Sequence, residues 1–160
     1  MAFSALFLCN DAGAIDFNEM KRARSYYAWD VYTDRTNGCH AISKPSESKA
    51  FNGIRNIPYI VISYKKPDRY TFSIYAGYTL HETKEPLIIV NEETFALRAY
   101  RDFFAYTYDS KDDVAIFNNA MKDTKYIKVR TYNSAGETSL DYYSLRGFLK
   151  AARFMQKYCE

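Results

Sequence analysis

Phe148-Leu149-Lys150-Ala151-Ala152-Arg153-Phe154-Met155-Gln156-Lys157-Tyr158-Cys159 repeats its apolar side chains as a helix does. From Phe148 to Ala152, Met155 and Cys159 the steps are four, three and four, which puts the cysteine on the stripe that faces the core. A helix tied down at its last turn implies a disulfide, and Cys39, in Asn37-Gly38-Cys39-His40, is the expected partner. Closing a loop of about 120 residues removes about 4 to 5 kcal/mol of unfolded-state entropy by chain-entropy reasoning. Such bonds persist in oxidising compartments.

The rest of the composition fits one exported domain. A chain of 160 residues is long enough to bury a sizeable core and too short for two comfortable ones. Its 22 basic and 19 acidic residues leave a net charge of +3, dispersed without any block of like charges, so no nucleic-acid partner is expected. Sixteen tyrosines and eleven phenylalanines against six glycines and four prolines favour strands with aromatic cross-strand pairs.

Near the start, Ala5-Leu6-Phe7-Leu8-Cys9 is a short apolar run and Ala12-Gly13-Ala14 has the small-residue spacing of a signal-peptidase site. Residues 1–14 therefore read as a signal-peptide remnant and residues 15–160 as the single domain, although no Lys or Arg precedes the run. Cleavage after Ala14 leaves two cysteines, the even number that a secreted domain favours. Lipidation of Cys9 is disfavoured by the bulky Leu8 before it. No stretch reaches the 18 or so apolar residues of a membrane span. The expected location is periplasmic or secreted, with outer-membrane association as the remaining alternative.

Alternation of apolar and polar residues gives a mainly β chain. Tyr26 to Thr33 reads as a first strand carrying Tyr27, Trp29 and Val31 on one face, with Trp29 as a core anchor. Asp34-Arg35-Thr36-Asn37-Gly38 is a turn, and Cys39 to Ser43 the return strand, ended by Pro45 and the Ser-Glu-Ser-Lys run. Tyr59 to Tyr64 and Thr71 to Tyr75 flank a turn at Lys65-Lys66-Pro67-Asp68. Leu87 to Val90 and Thr94 to Ala99 form a hairpin about Asn91-Glu92-Glu93, and Tyr126 to Tyr132 alternates again. Two short helices are expected in the C-terminal half. One starts at the N-cap Ser110, with Asp112 and Asp113 at the positive end of its dipole and Val114, Phe117 and Met121 as its apolar stripe. The other covers Leu145 to Tyr158, after a loop over Asn133 to Thr138.

The order of these landmarks resembles the invasion-associated locus B family of exported bacterial proteins, over about Tyr26 to Cys159. Trp29-Asp30-Val31-Tyr32 with Gly38-Cys39-His40-Ala41-Ile42-Ser43-Lys44-Pro45 is similar to the family's tryptophan strand and its Cys-x-x-Ser-x-Pro turn. Ala76-Gly77-Tyr78 resembles its Gly-Gly-Tyr, and Asp112-Asp113 through Ala120-Met121-Lys122 its Asp-Asp and Ala-Met-Lys helix. Ser144-Leu145-Arg146-Gly147-Phe148 through Cys159 resembles its closing helix and final cysteine. The resemblance implies an immunoglobulin-like β-sandwich, export past the inner membrane and a link to host-cell entry, with no established enzymatic activity. Two departures stand out. Phe104-Ala105-Tyr106 replaces an aromatic Trp-Ala-Trp element with its packing role kept, and Ala135-Gly136-Glu137-Thr138 lacks the arginine of Arg-Gly-Thr.

Catalytic arrangements are poorly supported residue by residue. Cys39 and His40 are neighbours on a strand and point to opposite faces, so the histidine is badly placed to activate the thiol. His40 and His81 match no metal-ligand spacing, and no metal or cofactor is expected. Asp112 and Asp113 splay by about 100° on a helix, and Ser134, Ser139 and Ser144 lack the Gly-x-Ser-x-Gly elbow and a downstream histidine. Tyr106, Tyr108, Tyr142 and Tyr143 are candidate contacts, since tyrosine gives rigid contact area at low entropic cost, with plain cross-strand packing as their other reading. The leading expectation is a non-enzymatic module that binds an envelope or host-surface ligand. The alternative is a small periplasmic enzyme or inhibitor-like module, whose cleft sequence spacing does not reveal.

Overall fold

The computed structural model describes residues 20–34, 38–67 and 69–159. The leader reading of residues 1–14, Cys9, residues 35–37 of the first turn and Asp68 of the second lie outside them. Among the described residues the chain is mainly β, with two helices. The strands are β1 (Lys21–Tyr26), β2 (Trp29–Asp34), β3 (Gly38–Ser43), β4 (Glu47–Lys49), β5 (Tyr59–Lys65), β6 (Arg69–Tyr75), β7 (Leu87–Val90), β8 (Glu93–Tyr100), β9 (Phe104–Thr107), β10 (Tyr126–Tyr132) and β11 (Thr138–Ser144). The helices are α1 (Ser110–Ala120) and α2 (Phe148–Tyr158).

All pairings are antiparallel, and the strands follow one order, β1-β2-β3-β5-β6-β9-β8-β7-β10-β11-β4. β8 belongs to both halves of this curled sheet. Its first residues pair with β7, from Val90 opposite Glu93 to Leu87 opposite Ala96. Its last residues pair with β9, from Leu97 opposite Thr107 to Tyr100 opposite Phe104. The resemblance implied an immunoglobulin-like sandwich of two facing layers; hydrogen bonding instead runs continuously through β8, and the sheet curls over a shared core. That core takes Val31, Ile60, Ile62, Phe72 and Ile74 from one half and Ile88, Ile127, Val129 and Tyr143 from the other. Among the described residues, β1 and β4 are the two edges.

The stretch Tyr26 to Thr33, expected as one strand, holds the last residue of β1, a turn at Tyr27 and Ala28, and then β2. Tyr26 pairs with Trp29 across a two-residue turn in which Tyr27 takes φ 54°. Tyr27 is therefore 64% exposed and shares no face with Trp29. The signal was hidden because the turn is Tyr-Ala, without the Asn or Gly that such conformations favour. Trp29 is fully buried, its ring 5.6 Å from that of Phe148, and its indole N–H donates to the Ser144 carbonyl at 3.0 Å. It thereby ties β2 to both α2 and the end of β11.

Helix α2 begins later than the sequence suggests, at Phe148. Gly147 precedes it with φ 92°, and any Cβ there would collide with the Tyr26 carbonyl, so the hairpin and the helix start need glycine at this point. Phe148, Ala152, Met155 and Cys159 are all buried. Cys159 is bonded to Cys39 with their Cα atoms 5.8 Å apart, across 120 residues of sequence. Replacing Cys159 by Ser should cost about 2 to 5 kcal/mol, with exchange protection lost first over α2. Unchanged protection over Phe148–Tyr158 would refute this.

Helix α1 is capped by Asp109, not Ser110: its side chain accepts from the backbone N–H groups of Lys111 and Asp112. Its buried side is Asp113, Ile116, Asn119 and Ala120. Of the apolar stripe, Val114 and Met121 look outward, 59% and 45% exposed, while Phe117 is half-buried and packs against the core. Helix α1 packs on β6 to β9 and α2 on β1 to β3. No helix among the described residues is long and apolar enough to cross a membrane.

Candidate functional site

Val114, Phe117 and Met121 of the α1 stripe line an open cleft of about 760 Å³ between the two helices. Its apolar floor is Tyr70, Val114, Phe117, Met121, Leu149 and Ala152. The rings of Tyr70 and Phe117 stack at 4.4 Å and 15°, and Phe117 meets Phe148 at 5.4 Å, so the floor is continuous with the core below it. Past Met121 and Leu149, which line both, a second cleft of about 410 Å³ runs towards Tyr126 and Ser144. Arg69 and Arg153 border the first cleft, and Lys122, Lys125 and Arg146 the second. Among the described residues, Asp113 is the only carboxylate in these linings.

Asp113 is buried at the base of the cleft and already committed. One of its oxygens accepts from the Phe72 backbone N–H at 2.9 Å and from the Thr107 hydroxyl at 2.7 Å, pinning α1 to β6 and β9. Burial raises its pKa above the ordinary 3.8, against the lowering effects of those hydrogen bonds and of Arg69. A carboxyl with a raised folded-state pKa favours the protonated native state, so its contribution to stability is largest in acid and is lost as pH rises through the folded value. Asp113→Asn should therefore remove part of the fall in stability above pH 4 while keeping an acceptor. Asp113→Ala, which orphans the Phe72 N–H, should cost about 1 to 3 kcal/mol. Equal unfolding midpoints for the two variants across pH would contradict this assignment.

The structure does not gather the candidate tyrosines. Tyr106, half-buried on β9, lies opposite Ser73 and Arg98 and meets Tyr100 edge to face at 5.8 Å. Tyr108 is exposed, donates its hydroxyl to Glu85 and lies beneath the Arg98 guanidinium at 4.9 Å. The Glu85 bond, more than desolvation, raises its pKa. Tyr142 is on β11, separated from β9 by β8, β7 and β10. It is held between the ammonium groups of Lys49 and Lys128, at 5.4 and 5.8 Å from its ring. Tyr143 is only 1% exposed, with its pKa raised chiefly by burial. Its candidacy as a contact is corrected: alternation along β11 points it inward.

His40, buried, has its Nδ1 2.8 Å from the Ser63 hydroxyl, and the sulfur of Cys39 is in the disulfide. Among the described residues no three His, Cys, Asp or Glu side chains are grouped to hold a metal ion.

Sequence reading missed a buried ion pair. Arg55 grips both oxygens of Asp141, at 2.9 and 2.7 Å, donates from Nε to the Ala76 carbonyl at 2.7 Å and lies over the Tyr78 ring at 4.8 Å. Ser48 donates to the same carboxylate at 2.7 Å. This pair fastens the segment between β4 and β5 to β11. It also missed the cleft, for which there was a signal: α1 carries two apolar stripes, Ile116 with Ala120 and Val114 with Phe117 and Met121, and only one of them can face the sheet.

In a comparison of folds the chain matches the crystal structure of invasion associated protein B from Bartonella henselae, with a TM-score of 0.58 over 82% of this chain and 94% of that one. It shares that protein's fold. The two are 14% identical in sequence. No family model matches the chain, and no curated protein does.

Proposed function

We propose that the chain is an exported, invasion-associated protein, periplasmic or secreted, that acts by binding an envelope or host-surface ligand and not by turnover. The observation that carries this reading is the fold shared with invasion associated protein B across nearly all of that chain. The disulfide between Cys39 and Cys159 supports export, because such bonds persist in oxidising compartments. An open cleft with an apolar floor, whose one carboxylate among the described residues is engaged by Phe72 and Thr107, supports binding over acid–base chemistry. On this reading the two halves of the curled sheet are counterparts of the layers of an immunoglobulin-like sandwich, joined by β8.

The test combines fractionation with an activity screen. Protein expressed in a Gram-negative host should be recovered outside the cytoplasm with Cys39 and Cys159 joined, and should bind host-cell membrane or bacterial envelope fractions. It should leave ester, peptide, glycan and disulfide substrates unchanged. Turnover abolished by alanine at His40, Asp112 or Ser144 would overturn the binding reading in favour of a small periplasmic enzyme.

A further inference from the structure

We propose that the cleft between α1 and α2 is a docking groove for an acidic amphipathic helix of a partner protein. The inference rests on the binding reading above and names both the surface and the chemistry of what it takes.

Three observations converge on this occupant. The first is spacing. Val114, Phe117 and Met121 stand three and four residues apart on α1, a ridge that matches the side-chain rows of a second helix laid alongside it. The eleven residues of α1 give a wall of about 16 Å at 1.5 Å per residue, and the second cleft extends the trough beyond Met121. That is room for about three turns of a ligand helix.

The second observation is exposure. Val114 and Met121 keep about half their surface in water although the helix has a separate buried side. Groove-binding helices are held by apolar anchors at such positions, and methionine, unbranched and polarizable, suits surfaces that adapt to a partner. An acyl chain would be served better by an enclosed tunnel than by this open trough.

The third is charge. Among the described residues, Arg69, Arg153, Lys122, Lys125 and Arg146 line the two clefts against Asp113 as the one carboxylate, and Asp113 is buried beneath the floor. Asp112 and Asp123, neighbours in sequence of lining residues, are not part of the lining. A cationic rim about an apolar floor complements glutamates or aspartates flanking an apolar stripe, and disfavours a basic helix of the same hydrophobicity.

The experiment uses labelled 16-residue peptides read by fluorescence anisotropy at about 50 and 300 mM salt. One is an amphipathic helix with a leucine stripe and a glutamate face, one carries lysines in place of the glutamates, and one scrambles the acidic sequence so that its stripe is lost. The acidic helix should bind at least about tenfold more tightly than either control, with the preference narrowing at high salt. The exposed double change Val114→Asp with Met121→Asp, and separately Arg153→Glu, should each weaken binding by about tenfold or more. Arg24→Glu, a charge reversal on β1 outside the groove, should leave it within about twofold.

Equal binding of acidic and basic helices, or no loss in the groove variants, overturns the proposal. So does a loss that follows Tyr106→Ala or Tyr142→Ala instead, and so does binding to phosphatidylglycerol vesicles that exceeds binding to the acidic helix. The wider reading fails separately. If groove variants still bind host or envelope fractions as the wild type does, only the groove is wrong; if the wild type binds neither fraction and turns over a substrate, the binding reading itself falls.

Discussion

Replacing Arg55 by Met should destabilise the protein by about 3 to 5 kcal/mol, the range found when one partner of a buried ion pair is removed. The loss comes less from the attraction than from what remains. Asp141 would stay buried with only the Ser48 hydroxyl to replace two guanidinium N–H groups, and the Ala76 carbonyl would lose its donor. Equilibrium urea unfolding measures the effect. Arg55→Met combined with Asp141→Leu should recover most of the loss, because no charge is then left in the interior. A single-variant loss below about 1 kcal/mol, or a double variant no better than the single, would show that water reaches the carboxylate.

Truncating Trp29 to Ala should cost a similar amount, about 3 to 5 kcal/mol, through the cavity left by a large buried ring. Against the 5 to 15 kcal/mol by which domains of this size are ordinarily stable, that is a large fraction. Trp29 packs on Phe148 and hydrogen-bonds the end of β11, so the loss should show itself as joint loosening of β2, α2 and β11 in hydrogen exchange. Trp29→Phe keeps much of the volume and loses the bond to Ser144, and should cost about 1 to 2 kcal/mol. Trp29 is the only tryptophan, so unfolding of these variants is followed by circular dichroism. An unchanged melting curve for Trp29→Ala would remove the residue from the core.

The elements legible in the sequence are those whose buried face is also their apolar face. The hairpin of Leu87 to Val90 and Thr94 to Ala99 is found nearly to the residue, as is β10, where Ile127 and Val129 point inward. β11 was passed over for the opposite reason. It buries Ser139, Asp141 and Tyr143 and turns Leu140 and Tyr142 outward, because the core at that point holds an ion pair. β4 has only three residues, all exposed, and nothing local distinguishes it from a loop. β9, Phe104–Thr107, follows Arg101 and Asp102 at positive φ, a conformation carried by residues that seldom adopt it.

The candidate site was half-visible for a related reason. Helical spacing shows Val114, Phe117 and Met121 as a stripe but does not say which way it faces, because Asp113 and Asn119 occupy buried positions that a periodicity argument gives to apolar residues. Asp113 is inside because Phe72 and Thr107 supply its donors, and those partners are 41 and 6 residues away in sequence. Periodicity sees a residue's own helix and not the strand that satisfies it. The positions of Tyr106 and Tyr142, far apart in the sheet order, were beyond reach for the same reason.

The two ends of the strand order carry a consequence of another kind. β1 is written with Lys21, Arg22 and Arg24 and is interrupted by a register shift between Arg22 and Arg24, while β4 is three residues with a charge on either side of Ser48. A ladder of backbone donors and acceptors left open at its rim invites another copy to continue it, and charge, irregular pairing and brevity all frustrate that addition. The described edges are thus poor templates for strand addition despite the many aromatic strands, and self-templating through them would have to begin from a form in which one of those short outer ribbons had already peeled away.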